Sequence, residues 1–194
     1  MSNSKVKIKK VENLSLNYYK LDKVTFDYQT KSGKWQEQNR ESYDRGDGAA
    51  VLLFNPSKKT VILTKQFRMP TYLNGNKNGM MIEVCAGLLD EDDPITCIKK
   101  EAEEETGYKI TEPKKVFELY STPGAVTEKI HYFIAKYSDD MKIGNGGGLI
   151  EETEEIEVLE TNFSKAIEMV ASGEICDAKT IVLLQYAQIN KLIE

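Results

Sequence analysis

One histidine, one tryptophan and three cysteines are all that 194 residues contain of these types, and the histidine and cysteine scarcities close routes to function. With His131 as the sole imidazole, no second histidine is at hand for a zinc cluster, and a His-based triad finds little support. His131 lies in the strand-like run KIHYFIAKY and reads as a packing or surface residue. Cys85, Cys97 and Cys176 lack metal-ligand spacing and read as reduced thiols of a cytoplasmic protein. No run of 18 apolar residues occurs, and the opening MSNSKVKIKK is too polar for the apolar stretch of a signal peptide, so no membrane association is expected. Basic charge is not in excess either. Lys and Arg number 26 against 31 Asp and Glu, a net charge of −5, whereas nucleic-acid binding calls for a basic patch. The length suits one well-buried domain with a small appended sheet.

Acid is abundant, and concentrated. Gly87 to Tyr108 reads GLLDEDDPITCIKKEAEEETGY, with four glutamates inside five residues. Like charges at i and i+4 cost a helix a few tenths of a kcal/mol per pair, and a divalent cation reverses that cost. Asp93 followed by Pro94 predicts a capped helix start, and Gly107 predicts its end. At about 100° per residue, Ile95, Ile98, Ala102 and Thr106 form one stripe against the core. Glu101, Glu104 and Glu105 fall within an arc of roughly 100° beside it, while Glu103, Lys99 and Lys100 point elsewhere. Carboxylates converging at the edge of a buried face suit Mg²⁺ or Mn²⁺. A solvated acidic helix face is the alternative reading.

The string Lys100-Glu101-Ala102-Glu103-Glu104-Glu105-Thr106-Gly107-Tyr108 resembles the second half of the Nudix box, Arg-Glu-apolar-any-Glu-Glu-any-Gly-apolar, with Gly87 as the opening glycine. Lys100 replaces the box arginine, a point charge in place of a planar fork. Asp93 stands for the first box glutamate, one residue closer to Lys100 than usual. The likeness runs on through Tyr43–Gly46, Lys65–Arg68, Glu83–Asp90, Pro123–Glu128, Glu154–Val158 and Asp177–Thr180, which together resemble the GDP-mannose and ADP-ribose pyrophosphatase branch of the Nudix family.

This resemblance implies an α+β fold, the α/β/α sandwich of Nudix hydrolases, with an N-terminal antiparallel β hairpin or sheet region. Residues 1–45 would serve dimerisation and substrate contact, and 46–194 would form the hydrolase domain. It implies Mg²⁺-dependent hydrolysis of a nucleotide sugar in a cytoplasmic homodimer, with GDP-mannose ahead of ADP-ribose and a noncatalytic nucleotide-binding module as a further alternative. Pro123, 16 residues after Gly107, is the feature that favours ADP-ribose. The implied metal ligands are Ala86 (through its carbonyl), Glu101, Glu105 and Glu154. Glu154 would accept the water proton, with Glu104 and Glu105 completing the catalytic set and Glu152 as the other candidate base. Substrate contacts implied are Tyr18, Asn39, Arg40, Glu41, Arg68 and Ala86, followed by Gly87, Leu88, Glu128, Thr153 and Lys179.

Alternating polarity predicts a hairpin over 18–30 and 35–43 around KSGK, and strands at 49–54, 60–67, 80–85, 115–121, 129–137 and 154–159. Segment 71–79 reads as a loop, and helices are expected near 163–171 and 178–192. The run Gly144-Asn145-Gly146-Gly147-Gly148 ahead of Glu151, Glu152, Glu154 and Glu155 reads as a mobile hinge carrying carboxylates.

Overall fold

In a computed structural model, residues 4–149, 151 and 154–193 are described. The chain divides into two compact units. The first holds the described part of Met1–Asp47 together with Tyr120–Lys129. Its strands β1 (Val6–Leu16), β2 (Lys20–Gln29) and β3 (Trp35–Asp44) form an antiparallel sheet in that order. The KSGK turn closes the β2–β3 hairpin, with Gly33 at φ 81° and its N–H bonded to the Thr30 carbonyl at 2.9 Å. β1 extends the expected hairpin by a strand. Its apolar residues Ile8, Val11, Leu14 and Leu16 are exposed, and their spacing departs from strict alternation where the β1–β2 register shifts, between Ile8 and Lys10 and between Asn13 and Ser15. The 120–129 segment joins this unit through Tyr43, whose N–H bonds Ala125 O at 2.8 Å and whose carbonyl accepts Thr127 N–H at 3.0 Å.

The second unit is built around β4 (Gly48–Asn55), GAAVLLFN, buried at every position. Such a strand must be covered on both faces, and its alternate residues serve two cores. Ala50, Leu52 and Phe54 pack with Phe163, Leu183 and Leu184. Ala49, Val51 and Leu53 pack with Ile98, Ala102 and Phe133. The remaining elements are β5 (Thr60–Phe67), α1 (Met69–Leu73), β6 (Met80–Glu83), β7 (Cys85–Leu88), α2 (Pro94–Thr106), β8 (Lys114–Tyr120), β9 (Lys129–Lys136), β10 (Glu157–Asn162), α3 (Phe163–Ser172) and α4 (Ala178–Ile189). The sheet runs β10-β5-β4-β9-β8, with β6 on β5 and β7 on β4. β4 is parallel to β9 and antiparallel to β5 and β7. The mixed sheet thus lies between α2 on one face and α3 with α4 on the other, the expected α/β/α sandwich.

Three expectations change in detail. The first residues of the expected 71–79 loop belong to a short helix, α1, which has Pro70 in its first turn and ends at Leu73. The 80–85 strand is two strands, because the chain changes partner at Val84 from β5 to β4. The Val84 N–H at that break bonds Thr180 Oγ1 of α4 at 2.8 Å. The 154–159 strand begins only at Glu157, since Glu154 to Ile156 belong to the glycine-rich loop.

Candidate active site

α2 starts where its sequence says it should. The Asp93 side chain accepts the N–H groups of Ile95 at 2.9 Å and Thr96 at 3.2 Å, and Pro94 occupies the first turn. Gly107 ends the helix in the left-handed conformation at φ 77°. Ile98, Ala102 and Thr106 are buried as expected, together with Cys97 and Glu105, whereas Ile95 in the first turn is 47% exposed. Glu103 faces solvent, and Glu101 and Glu104 sit half-buried at the edge of the packed face.

Glu105 is the unusual member, a carboxyl only 2% exposed. Its Oε2 accepts the Ala86 N–H at 3.2 Å, and it shares a hydrogen bond with the Cys85 thiol. Burial, with the nearby charges of Glu101 and Glu154, pushes its pKa up to about 8. Burial and the Glu105 and Glu101 charges likewise push the Cys85 thiol up, which makes it inert. Glu101 is drawn close over Gly87: a Cβ there would collide with the Glu101 side chain. Lys100, in the box arginine position, stands 3.9 Å from Glu104.

The glycine-rich loop is no free hinge. Gly147 N–H bonds the Glu105 carbonyl at 3.0 Å and Gly148 N–H the Glu104 carbonyl at 3.2 Å. Ile143 and Gly144 bond the Gly107 carbonyl at 2.8 and 3.2 Å. The loop therefore satisfies carbonyls that a helix end leaves open, and its glycines permit the approach, since a Cβ on Gly146 would strike the Glu105 backbone. The same loop carries Glu154, whose Oε2 accepts the Leu149 N–H at 3.2 Å. Docking onto α2 brings the Glu154 charge to bear on Glu105.

By donor type these groups suit a hard divalent cation. Glu105 is buried and, among the described residues, makes no ion pair, and oxygen donors are what Mg²⁺ and Mn²⁺ take. Among the described residues no three His, Cys, Asp or Glu side chains are gathered so as to hold a metal ion by themselves. A concavity of about 700 Å³ elsewhere on this unit, lined by Thr71, Asn76, Met80 and Cys176, contains none of these carboxylates.

Arg68 and Lys179 meet at a residue the sequence reading passed over. Glu83, 4% exposed, accepts Arg68 Nε at 2.7 Å and Lys179 Nζ at 3.3 Å. Lys179 also pairs with Asp177 at 2.7 Å, while Asp177 caps α4 by accepting Thr180 N–H at 2.8 Å. Leu88 is fixed through its carbonyl, which accepts the Cys97 thiol at 3.2 Å.

Of the other expected contacts, Tyr18, Asn39, Arg40, Glu41 and Glu128 belong to the first unit. Tyr18 is 86% exposed and edge-on to Tyr19. Asn39 accepts Thr25 Oγ1 at 2.7 Å, and its carbonyl accepts Arg40 at 2.7 Å. Glu41 is exposed on β3, and Glu128, 7% exposed, lies 3.6 Å from Arg45. Thr153 and Glu152 lie outside the described residues.

The family model described as the NUDIX domain matches residues 44–181. That of the GDP-mannose pyrophosphatase NudK N-terminal domain matches residues 5–43. The chain is similar to the GDP-mannose pyrophosphatases of Shigella dysenteriae serotype 1, Escherichia coli O157:H7 and Salmonella typhimurium. Each is 55% identical over 181 residues, covering 93% of this chain and 94% of the relative.

Proposed function

This chain belongs to the Nudix family of hydrolases, which act on pyrophosphate bonds, and from that premise we propose that it cleaves GDP-mannose to GMP and mannose 1-phosphate with Mg²⁺. The substrate reading is supported by relatives named for that activity, 55% identical over 93% of the chain. The chemistry is supported by one observation above the others, Glu105 buried beside Glu101 and Glu154.

Glu101, Glu105, Glu154 and the Ala86 carbonyl would hold the cation, and Mn²⁺ is an acceptable substitute on the same oxygen donors. When bound, the cation offsets the charge of the diphosphate oxygens and lowers the pKa of water. Glu154, carried on the loop that bonds to α2, takes the proton from the attacking water, with Glu152 as the alternative base. Glu104 orients the cluster from the adjacent turn. Arg68 and Lys179 hold the phosphates, and the backbone of Ala86, Gly87 and Leu88 borders them. Tyr18 stacks on the base, with Asn39, Arg40, Glu41, Glu128 and Thr153 as further contacts. The protein is a cytoplasmic homodimer in which the N-terminal region of one subunit contributes to the site of the other. The unpaired cysteines accord with that compartment, and among the described residues no helix is long and apolar enough to cross a membrane.

The test is a comparison of kcat/KM for GDP-mannose and ADP-ribose at matched Mg²⁺, with light scattering on the same preparation. GDP-mannose should be the better substrate, and the particle should have twice the 22.0 kDa chain mass. A reversed ratio assigns the chain to ADP-ribose, and a monomer contradicts the shared site.

A further inference from the structure

We propose that Glu83 is a positioning residue for the substrate diphosphate, its buried carboxylate holding Arg68 and Lys179 together as one cationic clamp. The inference rests on the reading of the substrate as a nucleoside diphosphate sugar.

Three elements converge on this one side chain. Arg68 follows β5 directly, Glu83 ends β6, and Lys179 lies in the first turn of α4. The two carboxylate oxygens are divided between the two cations, Oε2 to Arg68 Nε and Oε1 to Lys179 Nζ. The Glu83 side chain is 5% exposed, that of Lys179 22% and that of Arg68 41%. The cluster is therefore anchored at the carboxylate and open at the arginine.

The anchoring atom matters. Arg68 engages Glu83 through Nε, and among the described residues its two terminal nitrogens make no hydrogen bond. A guanidinium fixed in this way presents a planar pair of donors, the geometry that matches two oxygens of a phosphate. Lys179 supplies a compact second charge. Burial lowers its pKa, but Asp177 and Glu83 outweigh that and keep it above its ordinary value, so the ammonium stays charged.

The location suits the chemistry. Ala86 is three positions after Glu83, at most about 11 Å of chain, and the Ala86 N–H is bonded to Glu105. Clamp and carboxylate cluster thus follow one another along the chain, on β6 and β7. The competing explanation is a structural tie between α4 and the sheet. Thr180 already provides one, through Val84 N–H at 2.8 Å. A buried ion network also contributes little net stability relative to apolar packing of the same volume, so stability alone does not account for a carboxylate shared by two cations.

The test is calorimetric binding of GDP with Mg²⁺ to the full-length wild type, Glu83→Gln, Arg68→Ala and the double variant, with melting temperatures recorded alongside. Each single variant should bind GDP about tenfold more weakly or worse. Because Glu83 acts in part through Arg68 and in part through Lys179, the double variant should lose clearly less than the product expected of independent groups. If Glu83→Gln does not fold, Glu83→Asp replaces it: the retained charge on a shorter arm should give an intermediate affinity. GDP binding within twofold of wild type in the Glu83 variant, multiplicative losses in the double variant, or a wild type that does not bind GDP overturns the clamp. A wild type that shows the coupled pattern yet releases no GMP from GDP-mannose refutes the substrate reading and leaves the clamp standing.

Discussion

Glu105 differs from its neighbours in α2 only in where the helix puts it. The same residue type at Glu103 is solvated, whereas Glu105 is 2% exposed and held at a pKa of about 8 by burial and two nearby carboxylates. Nothing local in the string EAEEET distinguishes the two beyond helical phase, and phase was enough to separate them. Gly87 tests how closely the group is packed. Its φ is not in the left-handed range, so alanine is allowed there by the backbone. The added Cβ would displace the Glu101 side chain, a long arm that can swing away at small cost. Gly87→Ala should therefore melt within about 4 °C of wild type, the shift for about 1 kcal/mol in a chain of this size. Its Mg²⁺ concentration for half-maximal hydrolysis should rise roughly tenfold, the equivalent of about 1.4 kcal/mol of lost metal affinity. A metal titration superimposable on wild type would show that Glu101 does not ligate.

Elements were legible where the signal was local. Asp93, Pro94 and Gly107 announced both ends of α2, because caps are read from the residues that make them. β1 is not legible because its apolar residues break the two-residue alternation where its register shifts, and the glycine-rich loop is not legible as a docked one because its hydrogen-bond partners lie about 40 residues earlier, on the helix. Glycine reveals that a close approach or a left-handed bend is allowed, not what is approached. Two helix-ending glycines separate these effects. Gly107 and Gly173 have φ of 77° and 80°, but a Cβ on Gly107 would meet the Gly144 backbone, whereas Gly173 has nothing within 4 Å. Gly173→Ala should cost about 1 kcal/mol, the left-handed penalty alone. Gly107→Ala should cost about 2 kcal/mol or more, as it also pushes the loop off the helix end, and should lower activity by displacing Glu154. Urea unfolding of both variants measures the difference, and equal costs would mean that the loop gives way freely.

At the scale of the whole molecule, the sandwich was readable from the resemblance of segments spread in order along the chain. It is realised by β4, whose alternate residues feed cores on opposite faces. Glu83 was not readable as a site residue, because its partners lie 15 and 96 residues away and only the folded sheet brings them to it. The proposed function makes a single chemical claim: water attacks a diphosphate bridge, and α2 with its docked loop would hold the cation the reaction requires. Phosphorus NMR of GDP-mannose incubated with the protein tests this most directly, using EDTA-treated wild type, the same sample after Mg²⁺ is restored, and Glu105→Gln. The account predicts GMP and mannose 1-phosphate in equal amounts, none after chelation and full recovery with Mg²⁺. It also predicts a loss of about 10²-fold or more in Glu105→Gln, the scale of a positioned catalytic group. Release of GDP and free mannose, or turnover that survives both chelation and the substitution, would contradict it.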